Sequence, residues 1–199
     1  MHRPISRRAF VIAASATCLA TPVFAAQRPY VLGANGARIT YTFILNGAAQ
    51  SGRIPVHTAD IRIDPSDLSN SFVDVSADVR RARTGLIFAT QALKSPAVLD
   101  ADAHPLARFR STKIKLGPQG RISNGAVMQG QLTLRGVTKP IQFEANIFRP
   151  QGSAKGDLDQ LSVRLRGQLN RTEFGAIGFP ELVADTVQMD IDADIRAET

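Results

Sequence analysis

Histidines and carboxylates are the first groups to weigh, and few of them stand in a pattern that chemistry requires. Beyond the N-terminal stretch only His57 and His104 remain. They are far apart, with no His-x-His or His-Glu-x-x-His spacing, so no transition-metal site is read here. Asp100 and Asp102 precede His104 in a turn-like segment and read as a solvated loop. Glu144 alternates with apolar neighbours, which places it on the outer face of a strand and away from general-acid work. Glu173 follows Arg171 closely, and a loop-positioning pair or a plain surface ion pair both account for that spacing. The chain has no Gly-x-Ser-x-Gly elbow and no phosphate-cradling glycine loop, and its single cysteine is Cys18. No residue set argues for catalysis, a metal or a resident cofactor. The chain reads as a non-enzyme.

The elements that would hold these groups are mostly short strands. Ile39, Tyr41, Phe43 and Leu45 share a face, and Asn46-Gly47 signals the turn after them. Ile54 and Val56 flank Pro55, which predicts a bulge or a barrel rim. Ala59, Ile61 and Ile63 form the next face, closed by Asp64-Pro65-Ser66. Val73, Val75, Ala77 and Val79 alternate with Asp74, Ser76 and Asp78. Leu161, Val163, Leu165 and Leu169 make another strand. Val187, Met189, Ile191, Ala193 and Ile195 make the last, with Asp190, Asp192 and Asp194 outward.

The clearest hairpin spans residues 130–141. Leu132 and Leu134 alternate with Gln131, Thr133 and Arg135, and Gly136 supplies the positive φ of a tight reversal. Ile141, Phe143, Ala145 and Ile147 then continue the apolar face. Between these strands one slip is visible. Phe109 is apolar at an odd position, whereas Ile114 and Leu116 are apolar at even ones, and a regular strand cannot bury both sets. A β-bulge near residues 111–113 resolves the conflict and leaves Lys113 and Lys115 in water. Residues 84–95 leave the period-two rhythm: Leu86, Ile87, Phe88 and Leu93 with the intervening alanines fit a short helix stopped by Pro96. Repeated strands with turns between them argue for an all-β antiparallel sandwich or barrel in one domain, residues 26–199.

The N-terminus reads as an address. Residues 1–8 are basic, 9–19 are apolar or small, and Val23-Phe24-Ala25 fits a small-x-Ala cleavage site. A cleavable signal peptide over residues 1–25 is therefore expected, and Ser6-Arg7-Arg8-Ala9-Phe10 resembles a twin-arginine signal. The alternative is an ordinary secretory signal that carries adjacent arginines. Cleavage would remove Arg3, Arg7 and Arg8, lowering the formal charge from +7 to +4, and would leave no cysteine. The remaining Arg and Lys alternate singly with apolar residues, as at Arg62, Arg164 and Arg166. They form the wet face of a sheet rather than the clustered, aromatic-laced patch that nucleic acid needs. The expected compartment is the periplasm. A mild attraction to anionic membrane surfaces remains open.

Three stretches carry a resemblance. Gly130-Gln131-Leu132-Thr133-Leu134-Arg135-Gly136-Val137-Thr138-Lys139-Pro140-Ile141 is similar to the signature of the YceI-like, polyisoprenoid-binding family. Pro105-x-x-x-Phe109-x-Ser111 and Asn170-Arg171-Thr172-Glu173-Phe174-Gly175 match it in the same order. The resemblance implies an antiparallel, lipocalin-like barrel of about eight strands with one short helix, enclosing a long apolar ligand. One departure matters. Where the family carries Arg-Asp-x-His-Leu, this chain keeps Leu93 but has Ala89, Thr90 and Ala92, so no charged or imidazole role at that rim is carried over.

On this basis the interior-facing residues expected to meet a ligand are, from the first half of the chain, Phe43, Val75, Phe88, Leu93 and Phe109. From the second half they are Leu132, Phe143, Val163, Leu165, Phe174, Met189 and Ile191. Arg135 and Arg171 are candidates for an anionic or quinone head at the mouth, or else turn residues that bond backbone carbonyls. The apolar helix is either a lid over the ligand or a cap on the core. Alternation alone does not distinguish a hollow barrel from a filled one. The expected function is a periplasmic carrier of an isoprenoid lipid, an isoprenoid quinone or another long-chain lipid, with a homodimer left open. Two rivals stand beside it. One is a stress-response or interaction protein with a filled barrel, working through its outer surface beside a membrane cytochrome; the other is an enzyme on a lipid-linked substrate.

Overall fold

The computed structural model describes residues 27–118, 125–154 and 156–198. The expected signal peptide, with Cys18, the paired arginines and the cleavage site, lies outside the described residues. Alternating segments become the strands β1 (Arg28–Leu45), β2 (Ala48–Ile54), β3 (Val56–Ile63), β4 (Phe72–Asp78) and β5 (Arg83–Thr84). The helix α1 (Ile87–Lys94) follows, then β6 (Leu106–Leu116), β7 (Ala126–Leu134), β8 (Val137–Phe148), β9 (Gln160–Asn170) and β10 (Thr186–Ala197).

The sheet runs β10-β9-β8-β7-β6-β4-β3-β1-β2-β5, and β10 returns to pair with β1. Every pairing is antiparallel, and the closed wall is eight-stranded, with β2 and β3 acting as two halves of one strand bent at Pro55. Proline cannot donate to a ladder, so the break falls where it costs little. The Pro55 carbonyl instead accepts from Asp78 N at 2.9 Å. The β1–β2 hairpin turns on Asn46 (φ 48°) and Gly47 (φ 77°), and the β7–β8 hairpin on Arg135 (φ 52°) and Gly136 (φ 74°). Two consecutive positive-φ residues between paired strands match the twist of the ladder they join.

The bulge falls where the side-chain slip required it. The β6–β7 register shifts between Ser111 and Lys113, Ile114 turns inward, and Lys113 and Lys115 stay exposed. Ser111, buried at the bulge, accepts from Val73 N at 2.9 Å and so ties β6 to β4. On the outer face, cross-strand pairs match charge across the ladders: Arg108 grips Asp74 with two hydrogen bonds, and Arg164 and Arg166 meet Asp192 and Asp190.

The two barrel ends differ. At one end Tyr30, Ile61, Ile63, Leu161, Ile195 and Ala197 pack together, and the Tyr30 hydroxyl donates to Leu158 O at 2.6 Å. That end is floored. At the other lie the β1–β2 and β7–β8 turns, α1 with its flanking segments, and residues 171–185 between β9 and β10.

Candidate functional site

Inside the wall is a cavity of about 850 Å³, within the range of roughly 300–1,000 Å³ that encloses typical ligands. Its lining is hydrocarbon. Among the described residues only Tyr41, Ser71 and Arg171 bring polar side-chain groups to it, and each is already engaged. The Tyr41 hydroxyl donates to Arg83 O at 3.0 Å, and burial pushes its pKa up. Ser71 Oγ accepts from Asp64 N at 3.2 Å. Arg171 donates to four carbonyls, those of Ala184, Ala176, Gly178 and Val183, at 2.6–3.1 Å. A cavity whose polar atoms are spoken for is a poor host for water and a good one for alkyl or isoprenyl chains.

The hollow survives because three aromatic rings are seated against the wall. Tyr41 faces Gly52 across the β1–β2 ladder, and Phe143 faces Gly167 across the β8–β9 ladder. Phe109 lies over Gly130 of the neighbouring strand β7. A Cβ on any of these glycines would stand within 2.1–2.7 Å of the ring that covers it. With no side chain beneath, each ring lies close to the backbone instead of reaching across the bore. Phe109 and Phe143 then meet edge to face, with centroids 5.3 Å apart, and Tyr41 stacks on Phe43 at 6.1 Å. Sequence reasoning overlooked these glycines as makers of the site. The signal for two of them was Gly52 and Gly167 standing inside otherwise regular strands, which marks a close approach.

Eleven of the twelve residues expected inside line the cavity: Phe43, Val75, Phe88, Leu93, Phe109, Leu132, Phe143, Val163, Leu165, Met189 and Ile191. Phe174 does not. It is 2 % exposed but packs in the core beneath the short 3₁₀ turn Arg171–Phe174, because the chain leaves the β9 ladder at Asn170 and alternation no longer dictates direction.

The arginines also part from the head-group reading. Arg171, 5 % exposed, is spent on the backbone of residues 176–184 and is a strut of that loop. Its carboxylate neighbour is Asp185, at 3.4 Å, and not Glu173, which is exposed. Arg135 donates to Gly175 O and Pro96 O, stitching the β7–β8 turn to the segments on either side. Both take the backbone-bonding role.

The cavity opens at the α1 end. Its exposed lining side chains are Leu86, Ile87, Phe88, Phe179 and Leu182, all of them at that end. The helix lies at this opening: Ile87, Phe88, Ala89, Ala92 and Leu93 line the cavity, none of its residues is buried, and Ile87 and Phe88 are exposed. Leu93 alone packs on the core cluster, while Thr84 N donates to Thr90 Oγ1 at 2.9 Å and pins the helix to β5. His104 packs on the β7–β8 turn, where a Cβ at Gly136 would stand 2.8 Å from its ring, and His57 is exposed on β3. Among the described residues no three His, Cys, Asp or Glu side chains gather as metal ligands do.

A closed antiparallel barrel, floored at one end and apolar throughout its bore, belongs to the lipocalin-like class of architectures. The family profile of the YceI-like domain matches residues 30–195, and the chain belongs to that family. Among its relatives, a UPF0312 protein of Vibrio parahaemolyticus is 29% identical over 133 residues, which cover 65% of this chain and 68% of the relative. Among solved structures, BcnA of Burkholderia cenocepacia superposes with a TM-score of 0.68 at 16% identity, over 82% of this chain and 99% of that one. A polyisoprenoid-binding domain from Saccharophagus degradans, implicated in plant cell wall breakdown, gives 0.61 at 12% identity, over 86% and 99%.

Proposed function

We propose that this protein carries a long apolar ligand, an isoprenoid lipid or isoprenoid quinone, inside its barrel after export to the periplasm. The observation that carries this reading is the hollow itself, about 850 Å³, with no side-chain polar group left unengaged in it among the described residues. Hydrocarbon entering such a space gains about 0.8 kcal/mol per buried methylene, so affinity grows with chain length and needs no specific polar contact. Girth and length then set selectivity, because the bore offers shape and little else. The relation to a polyisoprenoid-binding domain of the same fold agrees with this chemistry. The reading as a filled barrel acting only through its outer face loses its premise to the cavity. No group in the bore is placed for acid–base or nucleophilic work on a lipid-linked substrate, and we read the protein as a binder.

The test is native mass spectrometry of protein purified from the periplasm, followed by extraction and identification of the released lipid. A stoichiometric hydrophobic passenger, or uptake of an isoprenoid quinone by extracted protein, is expected. Protein that is empty as purified and takes up neither quinone nor polyprenol would overturn the proposal.

A further inference from the structure

The mouth of the cavity is rimmed by apolar side chains that stand exposed among the described residues. Phe88 is 84 % exposed, Ile87 77 % and Ile177 64 %, and Leu86, Phe179 and Leu182 join them as exposed residues. Single exposed apolar groups are ordinary, but a group of them around one opening marks an interaction surface. Phe179 is held there against its own preference. Its φ is 58°, a conformation that bulky residues seldom adopt, and its carbonyl accepts from Leu182 N and Val183 N at 3.1 and 2.9 Å.

Beside this rim the charge pattern of the wall breaks. Arg108 of β6 and Arg164 and Arg166 of β9 are matched by aspartates of β4 and β10. The arginines of β2 and β5 are not. Arg53 and Arg83 are direct cross-strand partners, both exposed, and like charges in that position cost stability. Arg81 is exposed two residues away, and among the described residues Arg53, Arg81 and Arg83 form none of the ion pairs within 4 Å. Arg80 reaches Asp78 only at 3.8 Å. Glu181 and Asp185 lie on the loop side of the opening, so the cationic charge is concentrated on the β2–β5 side, next to α1.

We propose that this end of the barrel docks on an anionic lipid bilayer. Ile87, Phe88, Ile177 and Leu182 seat at the boundary between head groups and acyl chains, and Arg53, Arg81 and Arg83 lie against lipid phosphates. Apolar fingers beside unpaired cations are what interfacial binding uses. A lipid phosphate also supplies the counter-charge that the Arg53–Arg83 pair lacks. A second copy of this chain is the rival occupant, and it would show itself as a dimer in solution. The inference goes beyond the carrier reading and gives it a loading step: the bore opens where the bilayer is met, so a hydrocarbon tail passes between them without crossing water.

The experiment is flotation of exported protein, its N-terminus verified by mass spectrometry, with vesicles of phosphatidylethanolamine and phosphatidylglycerol in a roughly 2:1 ratio, against phosphatidylcholine vesicles. Binding to the anionic vesicles that weakens as salt is raised is expected. Ile177 is outside the cavity lining, and Ile177→Ser should weaken partitioning on the order of tenfold. Arg53→Gln and Arg83→Gln should each weaken it about fivefold. None of the three touches the bore, so the purified variants should keep their passenger. Absence of vesicle binding, binding indifferent to salt and to these substitutions, or a concentration-dependent dimer that Ile177→Ser dissolves would each overturn the proposal. Protein that keeps a passenger yet ignores vesicles refutes docking alone; protein that binds vesicles but is never loaded refutes the carrier alone.

Discussion

Gly167 sits directly across the β8–β9 ladder from Phe143, and a Cβ at that glycine would stand 2.7 Å from the Phe143 ring and 2.8 Å from Gln142 O. The ring is 1 % exposed and packs against Phe109, so it has little freedom to move sideways. Gly167→Ala should therefore push Phe143 toward the bore. Overpacking of this kind costs about 1–3 kcal/mol. Urea denaturation should register that loss, and native mass spectrometry should show a shorter passenger or none. Unchanged stability and an unchanged passenger would refute the role given to the glycine seat.

Arg171 holds the 176–184 segment through four carbonyls and is itself buried. Arg171→Met keeps the bulk and leaves those acceptors without their donor, at a cost of at least about 2 kcal/mol. Arg171→Lys should recover little, since a point ammonium cannot reproduce the planar fork. Hydrogen exchange should show faster opening of residues 172–184 while β6, β7 and β8 stay protected. Equal loosening of the whole wall would refute the strut role.

Extraction of the passenger should lower the denaturation midpoint, because a ligand that binds only the folded state stabilises it by mass action. At a hundredfold excess over the dissociation constant the effect is about 2.7 kcal/mol. Adding back an isoprenoid quinone should restore the midpoint, whereas a short alcohol of similar polarity should not. A midpoint indifferent to extraction would count against any occupant of the bore.

Asp74 accepts two hydrogen bonds from Arg108, which with the nearby guanidinium charge hold its carboxyl below the ordinary value of 3.8 against the opposing effect of burial. A carboxylate whose pKa is depressed on folding contributes stability that is fully present above its unfolded value. That contribution fades as pH falls through the folded one. Stability should thus be flat from neutral pH to about 5 and decline below about 4. Asp74→Asn should lose stability at neutral pH and flatten the acid limb; a variant whose acid limb matches the parent's would show the pair to be idle.

Much of the wall was legible in the sequence because a strand's two faces leave a period of two. The turns at Asn46-Gly47 and Arg135-Gly136 were legible because positive φ selects few residues. The bulge was legible for a sharper reason: Phe109 and Ile114 could not both face inward without it. What stayed hidden depends on partners distant in the chain. Phe174 looked inward by composition, yet the 3₁₀ turn that carries it obeys no strand period. Arg171 read as either a mouth contact or a turn residue, and the four carbonyls that decide for the turn belong to residues 5 to 13 places later. The seats at Gly52, Gly130 and Gly167 exist only once the neighbouring strand arrives with its ring. The hollow follows from those seats, so it could not be read from alternation.

The wall is sealed by a seam between β1 and β10, which joins Tyr30 to Ala197 and Thr42 to Gln188. Synthesis delivers those two ribbons at opposite times. Until β10 joins them, β1 and β9 each present a bare edge that neighbouring chains can extend. Closure also joins segments far apart in sequence, a slow class of contact. Chains that lack β10 should pile into aggregates and not linger as partly built cylinders, so quality control for this protein falls at the β1–β10 seam.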